Sequence, residues 1–161
     1  MPIQKLTTNY TGREKDINIF PTVRPTVKGP QPTPGSFGKV SSYCAGIQKL
    51  AQRYLIALLT IRGSQPNFPN FGTNLLKQVN TGSVTTNGDL VHIFNFANVS
   101  VISAFRSAQE KAKNIPMDEQ LDTVVLNSVS VTVGNSVNYN ISLYTNAGQT
   151  YDYVLPIPIQ K

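Results

Sequence analysis

Tryptophan is missing from this chain, and cysteine and histidine occur once each, as Cys44 and His92. Those absences remove whole classes of chemistry. One cysteine and one histidine cannot assemble a zinc site from soft ligands, and no cofactor or metal is expected. His92 has no nucleophile-elbow sequence to work with, so the reading is a structural or partly exposed side chain. A single cysteine makes no internal disulfide and fits folding in a reducing compartment. Cys44 falls among the apolar positions of a helical pattern, which predicts a small buried thiol rather than an activated nucleophile.

Acids are scarce as well: Glu14, Asp16, Asp89, Glu110, Asp118, Glu119, Asp122 and Asp152 are the full set. Glycoside hydrolysis needs two carboxylates flanking a sugar, one of them with a raised pKa. No pair here is bordered by an aromatic platform, so a hydrolase, with Glu110 or Glu119 as its acid, ranks last among the readings. Apolar runs are short, none approaching the ~18 residues of a membrane span. The opening Met1-Pro-Ile-Gln-Lys-Leu-Thr-Thr lacks the hydrophobic core of a signal peptide. The expectation is a protein made in the cytoplasm, with no membrane and no meaning for the glycosylation triplets at Asn9, Asn98 and Asn140. Gly35-Ser-Phe-Gly-Lys-Val40 resembles the tail of a kinase glycine loop, but the rest of a kinase and the ending of a P-loop are lacking.

What is present is enough for one domain, since 161 residues bury roughly 70% of their unfolded surface without staples. Residues 1–80 carry ten Lys/Arg and two acids, and residues 81–161 carry four and six, so halves of +8 and −2 make up the net charge of +6. Such asymmetry fits either nucleic acid or an acidic protein partner. Lys5, Arg13, Lys15, Arg24, Lys28 and Lys39 follow no helical or strand period and form no compact basic stripe, which ranks a basic nucleic-acid-binding module second, as the alternative reading.

Residues 1–40 hold Pro2, Pro21, Pro25, Pro30, Pro32 and Pro34, a density that excludes helix and predicts an extended arm. Residues 41–161 read as a single α+β domain. From Tyr43 through Ile47, Leu50, Ala51, Tyr54, Leu55, Leu58 and Leu59 the apolar positions recur at three and four, which predicts a helix over about 43–62, capped by Ser41 or Ser42. Gly63, Pro66 and Pro69 end it, and Phe68 and Phe71 are expected to plug back against it while Gly72 lets the backbone pass closely. Thr73 to Gln78 predict one more helical turn, and Asn80 to Asp89 a surface loop.

A second long helix is expected over about 98–113, with Asn98 as cap and Pro116 beyond the end; its period runs back as far as Asp89, where a short strand is the alternative. The last third changes to period two. Val125, Asn127, Val129, Val131 and Val133, then Val137 to Leu143, then Tyr151, Tyr153 and Leu155 predict strands at about 124–133, 136–145 and 149–156, joined by turns at Gly134-Asn-Ser and Asn146-Ala-Gly. This antiparallel meander is expected to lie on the two helices. Pro156 and Pro158 donate no ladder bonds, so this stretch is expected either to be an edge, where another chain can add a strand, or to leave the sheet.

A helix ending Leu58-Leu59-Thr60, followed by Arg62-Gly63, a polar run, Pro69, Phe71-Gly72-Thr73 and Leu75, resembles the signature of the sheath-initiator family of baseplate wedge proteins in contractile-tailed phages and related injection machines. The likeness is carried by residues 43–76, and over 98–156 only by the order of elements. Asn70 stands where the family has an acid. Ile115-Pro-Met-Asp-Glu-Gln-Leu-Asp122 lacks the Glu-Pro-Arg that family members use toward neighbouring wedge proteins, so that contact is not carried over.

The resemblance implies a structural, non-enzymatic virion protein of the tail baseplate, assembled in the host cytoplasm in several copies around the tail axis. Its partners would be the sheath protein, the tail tube and other wedge proteins. Its C-terminal sheet would accept strands from the first sheath ring. The residues expected at interfaces are Arg62, Pro69, Phe71 and Gly72 at the corner and Tyr151, Tyr153, Val154, Leu155 and Pro156 on the edge strand.

Overall fold

The computed structural model describes residues 14, 16–17, 22–26, 29–33, 43–81, 84, 86–112, 114–132 and 136–159. They form seven strands and three helices in the order β1 (Asp16–Ile17), β2 (Thr22–Thr26), β3 (Gly29–Thr33), β4 (Tyr43–Cys44), α1 (Ile47–Leu59), α2 (Leu75–Asn80), α3 (Asn87–Lys111), β5 (Leu121–Thr132), β6 (Ser136–Thr145) and β7 (Thr150–Pro158). The body is α+β, as the change of period implies. β5, β6 and β7 make an antiparallel meander with β6 in the middle. α1 and α3 bury their apolar stripes against it, joining Leu50, Tyr54, Leu58, Phe94 and Val101 to Val137, Tyr139, Ile141 and Leu155 in one core.

Helix α1 is shorter than its apolar period. Tyr43 and Cys44 belong instead to a two-residue strand paired antiparallel with Asp16 and Ile17. Cys44 is buried there, on a strand and not on the helix. The start falls at Gly46, whose φ of 62° a side chain would resist; Ser41 and Ser42, expected as caps, lie outside the described residues. Glu119 caps it: its carboxylate accepts from the Gly46 N–H at 3.2 Å and pairs with Lys49 at 3.2 Å. An acid at a helix N-terminus meets unsatisfied N–H groups and the positive end of the dipole.

Most of the expected 1–40 arm lies outside the described residues. Among those described, β2 and β3 pair as a hairpin through Pro25 and Pro30. Glu14 reaches Lys49 at 3.2 Å, and the Gln52 side chain donates to the Ile17 carbonyl at 2.7 Å. Glu14 and Ile17 are therefore fastened to α1.

Helix α3 starts eleven residues before Asn98, at Asn87, because Thr86 and Asp89 form a reciprocal capping box. By length and hydropathy α3 would also pass for a membrane span, yet Leu90, Phe94, Ala97 and Val101 are buried in the body's core. Asn98 is no cap but a buried mid-helix residue. Its side chain accepts from the Tyr54 hydroxyl at 2.8 Å and donates to the Val124 carbonyl at 3.1 Å.

The meander departs from strict alternation in β5. Register shifts between Leu121 and Thr123 and between Leu126 and Ser128 turn Leu121, Val124, Leu126 and Val129 toward the helices. Val125, expected inside, is turned outward and 43% exposed, while Val131 keeps the face of Val129, opposite the buried Val137, and is 53% exposed. An extra residue in one strand carries everything after it to the other face. The turn at 133–135 lies outside the described residues; the one at Asn146-Ala-Gly is observed, with Gly148 at φ 73°.

Candidate functional site

The corner between α1 and α2 is a close backbone crossing. The Thr73 N–H donates to the Thr60 carbonyl at 2.8 Å and the Arg62 N–H to the Thr73 carbonyl at 3.0 Å. The Thr73 hydroxyl ties the turn to the end of α1 by donating to the Leu58 carbonyl at 2.6 Å. Gly72 sits at φ +95°, and a Cβ there would strike the Thr60 carbonyl. This is the close passage the sequence implies.

The phenylalanines do not plug it. Phe68 is 65% exposed and Phe71 38%, and the whole stretch from Ile61 to Phe71 faces solvent. Successive turns, Ser64 to Ile61, Phe68 to Gln65 and Phe71 to Phe68, satisfy its own backbone at 3.0–3.1 Å, so the rings are not needed to close it. Beside Phe71 a groove of about 440 Å³ runs between α1, the corner and α3. Arg53, Ile56, Arg62, Phe71 and Phe105 are among the side chains on its walls, and no acid lines it. Arg62, Phe71 and Gly72 thus come together there, joined by Arg53 and by α3 residues that the sequence reading did not place at an interface. Pro69 is exposed and outside the lining.

The second set lies on β7, an outer strand of the sheet. Tyr151 and Tyr153 are half-buried on the helix side, and burial raises both phenols above the ordinary tyrosine value. Leu155 is 3% exposed, a core residue with no face for a partner. Val154 and Pro156 point the other way, Val154 being 55% exposed. Pro156 and Pro158 align with Asn138 and Ser136 of β6. Having no N–H, they fit this ladder with their nitrogens turned to the open side. By the two-residue period, Thr150, Asp152 and Val154 present outward N–H groups, and the row of donors stops at Pro156.

The opposite edge is partly covered. Arg106 donates to the Asp122 carbonyl at 3.0 Å, Asn98 to that of Val124, and the Gln109 amide faces the Leu121 backbone. Side chains of α3 therefore occupy the first half of β5.

His92 is exposed on α3, Glu110 is exposed, and Glu119 is committed to Gly46 and Lys49. Burial, with Asp16 adding to it, pushes the Cys44 thiol up, away from thiolate reactivity. Among the described residues no three His, Cys, Asp or Glu side chains cluster as metal ligands would. The chain matches no family model and no curated protein.

Proposed function

We propose that this chain is a structural assembly protein of a contractile-tail baseplate, present in several copies around the tail axis, which starts sheath polymerisation by accepting a strand along β7. The carrying observation is the asymmetry of the two sheet edges. α3 side chains bond the backbone of β5, while nothing among the described residues pairs with the outer side of β7. An unpaired edge is a template for another chain, and main-chain bonds give such contacts their strength. The prolines limit the template to about 150–155 and so fix where an incoming strand must stop. The corner resemblance supplies the kind of assembly, and the arm fastened through Glu14 and Ile17 supplies a second reach toward wedge neighbours.

Hydrogen exchange on the chain alone and mixed with the sheath subunit of the same tail tests this. New protection at Thr150, Asp152 and Val154, lost in Val154→Pro, is the expected result. Unchanged exchange in a mixture whose components stay apart would overturn it, and salt-sensitive binding of duplex DNA under the same conditions would favour the basic-module reading instead.

A further inference from the structure

The groove beside the corner has a composition that the edge strand does not explain. Its walls carry two guanidinium groups, Arg53 on α1 and Arg62 in the corner, and two aromatic rings, Phe71 and Phe105. Neither arginine makes an ion pair among the described residues, and both are exposed. Phe105 is held by an edge-to-face contact with the fully buried Tyr54, ring centres 6.4 Å apart at 61°, so that wall is fixed to the core. Along α3 the lining residues Ser100, Ala104 and Ala108 fall at successive four-residue steps. They share one helix face and leave room for a backbone to approach. The same face continues one turn earlier to Phe96, 72% exposed, with Val99 beside it at 67%. The apolar strip is therefore longer than the cavity and longer than a small molecule requires.

We infer that this groove docks a helix of a partner protein whose apolar side is flanked by carboxylates. The charge decides the occupant. Two arginines without a facing acid favour a partner that brings Asp or Glu, and Arg with aromatic walls is the composition of interface anchor sites. The chain's own N-terminal 40 residues carry six Lys/Arg against two acids, the wrong sign to fill it. A second copy would have to offer a helix, and the exposed face of α3 lacks the carboxylates required: Glu110 is its one acid beyond the capping Asp89. Helix-in-groove docking reads anchors at three- and four-residue spacing, which matches the strip from Phe96 to Ala108. The inference does not depend on strand acceptance by β7, which lies outside the groove.

The test uses the full chain and two fluorescein-labelled amphipathic helical peptides, identical in their leucine face and flanked by Glu in one and Lys in the other. The Glu peptide is expected to bind about tenfold more tightly, the scale of two exposed ion pairs. Arg53→Glu with Arg62→Glu, both at exposed positions, is expected to reverse that order, and Ala104→Trp to abolish binding of both. Val154→Pro, which addresses the sheet edge, should leave peptide binding unchanged. Equal binding of both peptides, indifference to the charge reversal, binding of neither, dimerisation of the chain that blocks the peptide, or capture of the chain by anionic phospholipid vesicles through this face would each overturn the proposal.

Discussion

Tyr54 is fully buried, and its hydroxyl bonds Asn98, a buried polar side chain that links α3 to β5. Removing the hydroxyl leaves a buried amide oxygen without a partner, which costs more than the bond itself contributed. Tyr54→Phe is expected to lower unfolding free energy by about 1–3 kcal/mol in urea. Phe71→Ala, measured alongside, should cost roughly 1 kcal/mol or less, because the ring keeps more than a third of its surface in water. A loss of about 3–5 kcal/mol there would mean that the ring is core after all. Both positions read as apolar in sequence. Tyr54 could be assigned to the core from its helical period, but Phe71 sits outside any period, and its exposure depends on how the turns around it fold.

Among elements, the corner depends on two glycines. Gly63 and Gly72 both have positive φ, 84° and 95°, yet only Gly72 faces backbone. Gly63→Ala is expected to cost about 1 kcal/mol, the strain of a left-handed alanine. Gly72→Ala adds a clash with the Thr60 carbonyl and should cost at least about 2 kcal/mol. A comparison of urea midpoints checks this, and equal losses would show that the crossing relaxes freely. The position of the corner was legible from Gly, Pro and the end of the helical period. The true starts of α1 and α3 were less so. A cap from Glu119, 73 positions away from Gly46, leaves no local signal, and the reach of β4 back to β1 took Tyr43 and Cys44 out of the helix. The capping box of Thr86 and Asp89 was readable in sequence, but Asn98, a good cap by type, competed with it.

For the whole molecule, the shifted groups act in one direction. Burial raises the phenol of Tyr54 and raises Tyr139 to about 12, and it raises the Cys44 thiol. At Lys49 burial alone would lower the ammonium, but the carboxylates of Glu119 and Glu14 more than offset it, so its pKa also lies above the ordinary value. A group that holds its proton more tightly when folded contributes its full stability below the unfolded pKa. That contribution is lost as pH climbs from there to the folded value. The four windows open at the ordinary values of 9.0, 10.0 and 10.5. Unfolding midpoints should therefore hold steady at neutral pH and fall on passing from about pH 9 to about pH 12. A midpoint unchanged at pH 11 would contradict these placements.

The sequence by itself determined the class of fold and the order of its parts. Helical period gives way to period two near residue 121, the meander's strand limits fall within a few residues of those read from alternation, and the prolines mark β7 as an outer strand. These are local properties, set by side-chain spacing and by the missing N–H of proline. Tertiary structure alone decided which residues meet. The bulges in β5 turned Val125 outward because the pairing partner, not the strand, sets the register. The covering of β5 by Asn98, Arg106 and Gln109, and the groove that brings Arg53 and Arg62 to one surface, depend on how α3 lies across the body. No spacing along the chain encodes that placement, since it results from packing two helices on one twisted sheet.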